Sequence, residues 1–303
     1  MNNNRLTVTV GISAYNEGKN IGFLIKNVLS QEEKNFIMEK IIIISDACSD
    51  NTDEAIASLK HPKIVHIKNK QRRGQTMAQN RIAKLANSDI LILLEADVIP
   101  IDGNYINRLI QPFIDNKQVM LAQGNERPQP AQSFVGKAFA KQFIIYQEEM
   151  IKNDRLRPWI TSGRGGRALK KELYKKINWP LNIPEDVYLH LFCKKRDFKT
   201  EFSSEALCLY KSPDAYKEIK QEIKKVKSGA NAIEVYFSQL LLKRMYHRPL
   251  SFRILCAYIF FKKNFIYFFT YFFLSFYLSG DGVIFSDMLP STQTTKQVYG
   301  NIQ

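Results

Sequence analysis

Four consecutive isoleucines, Ile41–Ile44, run into Ser45-Asp46, and no other feature narrows the possible folds as much. A continuous β-branched run is buried on both faces, which is the situation of a strand inside a parallel sheet. Parallel neighbours need crossover connections, so helices must lie between the strands. The surrounding sequence supplies them. Leu6–Ile12 reads as a first strand, and Ile21, Leu24, Ile25 and Val28 then recur at helical spacing. Ile64–Ile67 reads as a third strand, Arg73–Ala86 as a helix, and Ile90–Leu94 as another buried strand. The β-α-β-α-β-α-β order predicts a doubly wound parallel sheet. Ligands of such sheets lie beyond the carboxyl ends of the strands. Three strand ends here carry polar clusters: Ser13-Ala14-Tyr15-Asn16-Glu17-Gly18, Ser45-Asp46-Ala47-Cys48-Ser49-Asp50-Asn51-Thr52 and Glu95-Ala96-Asp97.

Beyond residue 100 the pattern loosens. Gln132–Met150 is predicted helical, and Trp159–Gly166 is turn-rich, closing on Gly163-Arg164-Gly165-Gly166. Pro184-Glu185-Asp186 opens a helix carrying Val187, Leu189, His190, Leu191 and Phe192, with acids placed in its first turn. Phe202–Leu209 is expected as a strand, and Asp214 to about Met245 as one long basic helix. Leu250–Leu278 is dense in Phe, Tyr, Ile and Leu and is interrupted by Lys262 and Lys263. Its uncharged part, Asn264–Leu278, is shorter than the ~20 residues that cross a bilayer. A membrane-surface helix, a shallow hairpin, a span starting before Lys262 and a buried core helix are the alternatives. Aromatic side chains favour membrane interfaces. Lys243, Arg244, Arg248 and Arg253 nearby suit an anionic leaflet.

Charge points the same way. Forty-four Lys and Arg against 29 Asp and Glu leave +15 at pH 7, which calls for an anionic partner: nucleic acid, anionic lipid or a phosphate-bearing substrate. The cations are spread over several segments without a nucleic-acid recognition motif, so nucleic acid is set aside. Cys48, Cys193, Cys208 and Cys256 are far apart and make no CxxC or Cys/His cluster. Neither a zinc site nor a disulfide framework is expected, and the four read as reduced thiols. Met1–Arg5 is polar and runs straight into the first strand without a signal peptide, so the bulk of the chain is expected inside the cell. Ser13–Gly18 is not a GxGxxG turn, which argues against a dinucleotide dehydrogenase.

The first strand with Ser13-Ala14-Tyr15-Asn16-Glu17 resembles the opening of family 2 glycosyltransferases of the GT-A fold. Ser45–Thr52, Arg73-Gly74 with Asn80, and Glu95-Ala96-Asp97 follow in the same order and spacing, over about residues 6 to 100. Pro184-Glu185-Asp186 extends the resemblance to about residue 210. It implies an α/β protein with a GT-A type nucleotide-binding sheet and flanking helices; the aromatic-rich stretch after residue 248 adds the expectation of a C-terminal helical, hydrophobic, membrane-associated segment. The implied activity is inverting, metal-assisted transfer of a single sugar from a nucleotide-diphosphate sugar, UDP-sugar favoured, to an acceptor hydroxyl. Cell-envelope glycan or glycolipid synthesis is the expected setting; the alternative is a nucleotide-sugar-binding protein with a non-catalytic role. The expected domains are a catalytic domain over residues 1–248, an aromatic-rich membrane-associated segment over 249–280, and a tail over 281–303.

A divalent ion bridging two phosphates neutralises the charge of the leaving group. Mg²⁺ and Mn²⁺ take hard oxygen ligands, often one or two carboxylates with water and phosphate. The resemblance assigns Asp97 to the metal and Glu95, where the family more often has Asp, to the ribose side with Ala96 beside it. It assigns Asp46 to the base's ring N–H, Ala14, Asn16 and Glu17 to the base and ribose, and Arg73 and Gly74 to the nucleotide. Asp50-Asn51-Thr52 reads as the cap of the next helix. The acceptor hydroxyl must lose a proton, so a carboxylate within hydrogen-bond reach acts as base. Asp186 matches that role with Glu185 orienting it, although two acids are also an ordinary helix N-terminus. Ser162, Gly163 and Arg164 resemble the acceptor-side loop, and Arg164 and Arg167 are candidates to meet phosphate. Processive members carry Gln-x-x-Arg-Trp after the acid pair, whereas Gln221–Gly229 holds no Trp, so a single transfer is expected. The implied partners are a nucleotide-sugar donor, a lipid-linked or glycan acceptor and a membrane surface, with Mn²⁺ or Mg²⁺ as cofactor. The implied location is the cytoplasmic face of the membrane, peripheral or anchored through the C-terminal segment.

Overall fold

The computed structural model describes residues 5–152, 165–246 and 249–278. In chain order the elements begin β1 (Leu6–Ala14), α1 (Ile21–Leu29), β2 (Phe36–Asp46), α2 (Thr52–Ala57), β3 (Ile64–Asn69) and α3 (Gln75–Leu85). They continue with β4 (Ile90–Glu95), β5 (Val98–Pro100), α4 (Tyr105–Asp115), β6 (Val119–Pro128), α5 (Phe134–Lys152), β7 (Arg167–Lys170) and α6 (Lys171–Tyr174). The remainder is α7 (Glu185–Lys195), β8 (Lys199–Tyr210), α8 (Tyr216–Ile233), α9 (Gln239–Tyr246), α10 (Leu250–Lys263) and α11 (Phe265–Leu278). The described strands form one sheet in the order β3-β2-β1-β4-β7-β6-β8-β5. Its β3-β2-β1-β4 half is parallel, and β7 then runs antiparallel to both β4 and β6. Contacts divide the chain into two compact units, one from the described residues of Met1–Glu126 and Thr161–Tyr210, the other from those of Arg127–Ile160 and Lys211–Thr292.

In the first unit the sheet is built as the apolar runs require. Val8, Val10, Ile12, Ile41, Ile43, Ile44 and Ile92 are fully buried, because helices cover both faces of a parallel sheet. The apolar face of α1, Ile21, Leu24, Ile25 and Val28, is buried as its spacing predicts. β1 and β2 extend beyond their isoleucine and valine runs to Ala14 and Asp46, which carries the polar clusters to the sheet's rim. Five elements were not legible in the sequence: β5, α4, β6, β7 and α6. β6 hides because Gln123, Asn125 and Glu126 are buried despite being polar, and β7 is only four residues long.

In the second unit, the single helix expected from Asp214 to about Met245 is two helices. The chain turns at Tyr236, whose N–H donates to the Ile233 carbonyl at 3.0 Å. Ser238 then starts α9, its hydroxyl accepting from the Leu241 N–H at 3.3 Å. α10 and α11 are 14 residues each and meet at Asn264. Among the described residues no helix is long and apolar enough to cross a membrane. The bend brings Phe260 to 5.8 Å from Tyr271, and both helices pack on α5 through Phe134–Tyr267, Phe139–Tyr271 and Tyr146–Phe252 ring pairs 4.7 to 5.6 Å apart.

Candidate active site

The carboxyl ends of β1 and β2 are laced together by short polar bonds. Asn16 sits in the left-handed region (φ 55°), and its Oδ1 accepts from the Ser49 N–H at 2.8 Å. The Glu17 N–H donates to Thr52 Oγ1 at 2.8 Å, and the Gly18 N–H to Asp50 Oδ2 at 3.0 Å. Asp50 also accepts from the Thr52 N–H at 3.0 Å, so it stabilises the start of α2 and ties down the neighbouring loop as well. The cap reading of Asp50-Asn51-Thr52 therefore describes half of what this residue does. Ala14 is buried at the rim, and Arg72 lies over the Tyr15 ring, 3.8 Å from its centre, so the loop before α3 stacks on the loop after β1. Sequence reasoning did not single out that pair.

Asp46 is 5% exposed and its carboxylate is busy. It accepts from Asn69 Nδ2 at 2.9 Å, from the Arg73 N–H at 2.9 Å and from the Gly74 N–H at 2.7 Å. Those two backbone donors precede α3, and Gly74 (φ 85°) takes a backbone conformation that residues with a Cβ avoid. Asp46 thus clamps the β3–α3 loop through the backbone of Arg73 and Gly74. Arg73 also lines a cavity of about 510 Å³ with Lys68, Asn69, Lys70, Gln71 and Arg81, a strongly cationic wall.

Glu95 ends β4, and Ala96-Asp97 form the turn into β5 with exposures of only 4% and 2%. Glu17 is also buried, with Asn20 Nδ2 donating to its Oε2 at 2.7 Å. Burial, then the nearby Asp97, then Glu95 push the Glu17 carboxyl up to about 8. Glu17 and Asp97 are thus buried acids close enough to each other and to Glu95 for their charges to interact. Among the described residues no group of three or more His, Cys, Asp or Glu could hold a metal ion. Carboxylate oxygens such as those of Asp97 and Glu95 suit a hard cation that completes its shell from phosphate and water, rather than zinc.

The second pair of acids arrives on α7. The Trp179 indole N–H donates to the Glu185 carbonyl at 3.0 Å, and Asn80 holds Trp179 through both its N–H and its carbonyl at 2.8 Å. Asn80 is therefore a strut fixing the approach to α7. Glu185 Oε1 accepts from Gln75 Nε2 at 2.8 Å and lies 3.4 Å from Arg167 Nη1. Arg167 Nη2 is 3.9 Å from Glu95 Oε1. Arg167, a candidate to meet phosphate, is buried and paired with two carboxylates. Asp186 Oδ1 accepts from the Val187 N–H at 2.8 Å, and Asp186 lies near enough to Arg167 to act on its charge. One connected set of residues thus joins the rims of β4 and α3 to the start of α7. Ser162, Gly163 and Arg164 lie outside the described residues.

Comparison with known proteins gives the family and the fold. Glycosyl transferase family 2 matches residues 9–177. The chain is 25% identical over 243 residues to the poly-beta-1,6-N-acetyl-D-glucosamine synthase of Staphylococcus aureus, covering 78% of this chain and 58% of that protein. It is 29% identical over 213 residues to the Staphylococcus epidermidis protein of the same name, covering 67% and 49%. The chain thus spans about half the length of these relatives. Among solved structures, a mannosyltransferase from Pyrobaculum calidifontis in complex with GDP-Man and Mn²⁺ is similar at TM-score 0.60 and 16% identity, covering 93% of this chain and 77% of that one. Glucosyl-3-phosphoglycerate synthase from Mycobacterium tuberculosis, in complex with Mn²⁺, UDP and phosphoglyceric acid, is similar at TM-score 0.54 and 15% identity, covering 81% and 80%. Those likenesses establish the GT-A fold. By sequence and by fold, this chain belongs to glycosyl transferase family 2.

Proposed function

We propose that this glycosyltransferase moves a single sugar from a nucleoside diphosphate sugar, with UDP favoured, to an acceptor hydroxyl at a membrane surface, with inversion. The observation that carries the reading is the set of carboxylates at the strand mouths, with Glu17 and Asp97 buried and Glu95 facing the buried Arg167. Asp97, with Glu17 and Glu95 close by, would hold Mn²⁺ or Mg²⁺, which when bound neutralises the pyrophosphate leaving group. The chain's own residues do the rest. Asp46 fixes the loop that presents Arg73 and Gly74 to the nucleotide, and the Asn16–Ser49 and Gly18–Asp50 bonds hold the facing loop still. Asp186 accepts the proton of the acceptor hydroxyl, while Glu185, held by Gln75 and Arg167, keeps the start of α7 in place. One base with no second nucleophile implies direct displacement, hence inversion.

The polymer synthases among the relatives support a role in cell-envelope glycan synthesis. The lack of a tryptophan in Gln221–Gly229 favours one transfer per acceptor. The aromatic helices support attachment to a lipid surface, on the cytoplasmic side, with a lipid-linked or glycan acceptor. Phe265, Ile266, Phe272 and Phe273 are each more than half exposed, and Lys262 and Lys263 stand exposed at the bend. An apolar patch bordered by lysines suits an anionic interface. The test is a thermal-shift series with UDP and GDP, each with and without Mn²⁺. Stabilisation by one nucleotide that requires the metal is expected; no shift with either would end the donor assignment.

A further inference from the structure

Arg167 is 2% exposed, and it lies on a strand held on both sides. Its backbone faces Leu93 of β4 and Gln123 of β6 in the antiparallel register. The two glycines before it fix its entry. A Cβ on Gly165 would meet the Gly124 carbonyl oxygen at 2.1 Å, and Gly166 takes φ +77° beside the Tyr105 hydroxyl. The side chain therefore leaves a rigid base toward two carboxylates from different elements, Glu95 Oε1 at 3.9 Å and Glu185 Oε1 at 3.4 Å. Its Nε is buried with no hydrogen-bond partner among the described residues, so the two terminal nitrogens carry its pairing. Burial opposes the charge, but Glu185, then Glu95 and Asp186, outweigh it and raise the guanidinium's affinity for its proton.

We propose that Arg167 is a positioning residue that spans the donor side and the acceptor side of the reaction centre. Its planar fork holds Glu95 at the mouth of β4 and Glu185 at the start of α7 on one rigid strand. A glutamate at 95 reaches this cation across 3.9 Å. An aspartate, one methylene shorter by about 1.5 Å, would fall outside ion-pair range. Glu95 accordingly leans toward Arg167, and the cation anchors the strand mouth next to Asp97. This inference rests on the donor-site reading above.

The test is UDP binding in the presence of Mn²⁺, by calorimetry on the full chain, for the wild type, Arg167→Lys, Arg167→Met, Glu95→Asp and the Glu95→Gln/Arg167→Met pair. Arg167→Met and Glu95→Asp should each weaken UDP binding about tenfold or more. The double variant should lose no more than Arg167→Met alone, since both changes remove the same link. Arg167→Lys keeps the charge without the fork, so it should regain thermal stability while recovering little UDP affinity. Glu95→Asp keeps the buried cation paired with Glu185 and serves if Arg167→Met fails to fold. Folded Arg167→Lys or Glu95→Asp protein that binds UDP as the wild type does, while the wild type requires Mn²⁺, overturns the positioning role and leaves the donor site standing. A wild type that binds neither UDP nor GDP with Mn²⁺ overturns both.

Discussion

The rim of the parallel sheet and the surface of α10 and α11 solve opposite problems. At the rim, buried acids and amides make directional contacts: Asp46 on the Arg73 and Gly74 N–H groups and Asn80 on both the N–H and the carbonyl of Trp179, with the exposed Asp50 tying Gly18 to Thr52. On the helices, large aromatic rings are exposed and pack against one another in T-shaped and tilted pairs. Directional bonds in a dry site fix geometry and are costly to leave unmade. Apolar area is indifferent to orientation and gains in proportion to what is covered. The first region can discriminate between ligands, while the second can adhere. Variants in one should therefore spare the readout of the other.

The largest separation is expected at Asp186. Asp186→Asn should leave UDP binding intact and lower sugar transfer by about 10²- to 10⁴-fold, while sedimentation with anionic vesicles stays as in the wild type. An active variant would move the base elsewhere. The mirror experiment replaces Phe265, Phe272 and Phe273 with serine. Vesicle binding should fall by about 100-fold or more, and the UDP thermal shift should not change. If the triple variant still pellets with vesicles, those helices are not the adhesive surface.

Asn80→Ala sharpens the comparison within the rim, because it strands the N–H and carbonyl of Trp179 in a buried place. A loss of about 2–4 kcal/mol in denaturant unfolding is expected, with vesicle binding preserved. Acidity gives a graded effect. The Glu17 carboxyl titrates at about 8 when folded against 4.5 as its ordinary value. The folded protein therefore holds this proton more tightly. Its contribution is intact below pH 4.5 and is lost as pH rises toward 8, with a slope of at most ~1.4 kcal/mol per pH unit. Metal-free protein melted across that window should show the decline, and Glu17→Gln should flatten it. The smallest effect belongs to Ala47, which follows Asp46 in the left-handed region at φ 58°. Ala47→Gly should raise stability by about 0.5–1 kcal/mol, seen as a modest rise in melting temperature.

Much of the fold was legible because its signals are local. The isoleucine run, the spacing in α1 and the acids at strand ends need no knowledge of distant partners. What escaped was set by partners far along the chain. For Asp46 these are backbone donors 27 and 28 positions away. For Arg167 they are carboxylates on β4 and α7. A clue was present: a cation between Gly165-Gly166 and Ala168-Leu169 sits in a segment too apolar to be exposed, and a buried cation needs a counter-charge. β6 was missed for a related reason, since its buried Gln123, Asn125 and Glu126 mask the strand's alternation. The basic stretch after Asp214 was read as one helix because charge spacing alone does not reveal the turn at Tyr236.

The clasp between Asn80 and Trp179 joins positions 99 apart, and Gln75 reaches Glu185 across 110. Both seats on α3 are translated well before the segment that occupies them, so neither link can close until Trp179 and Glu185 have been made. The start of α7 thus borrows its footing from a helix encoded in the first third of the chain.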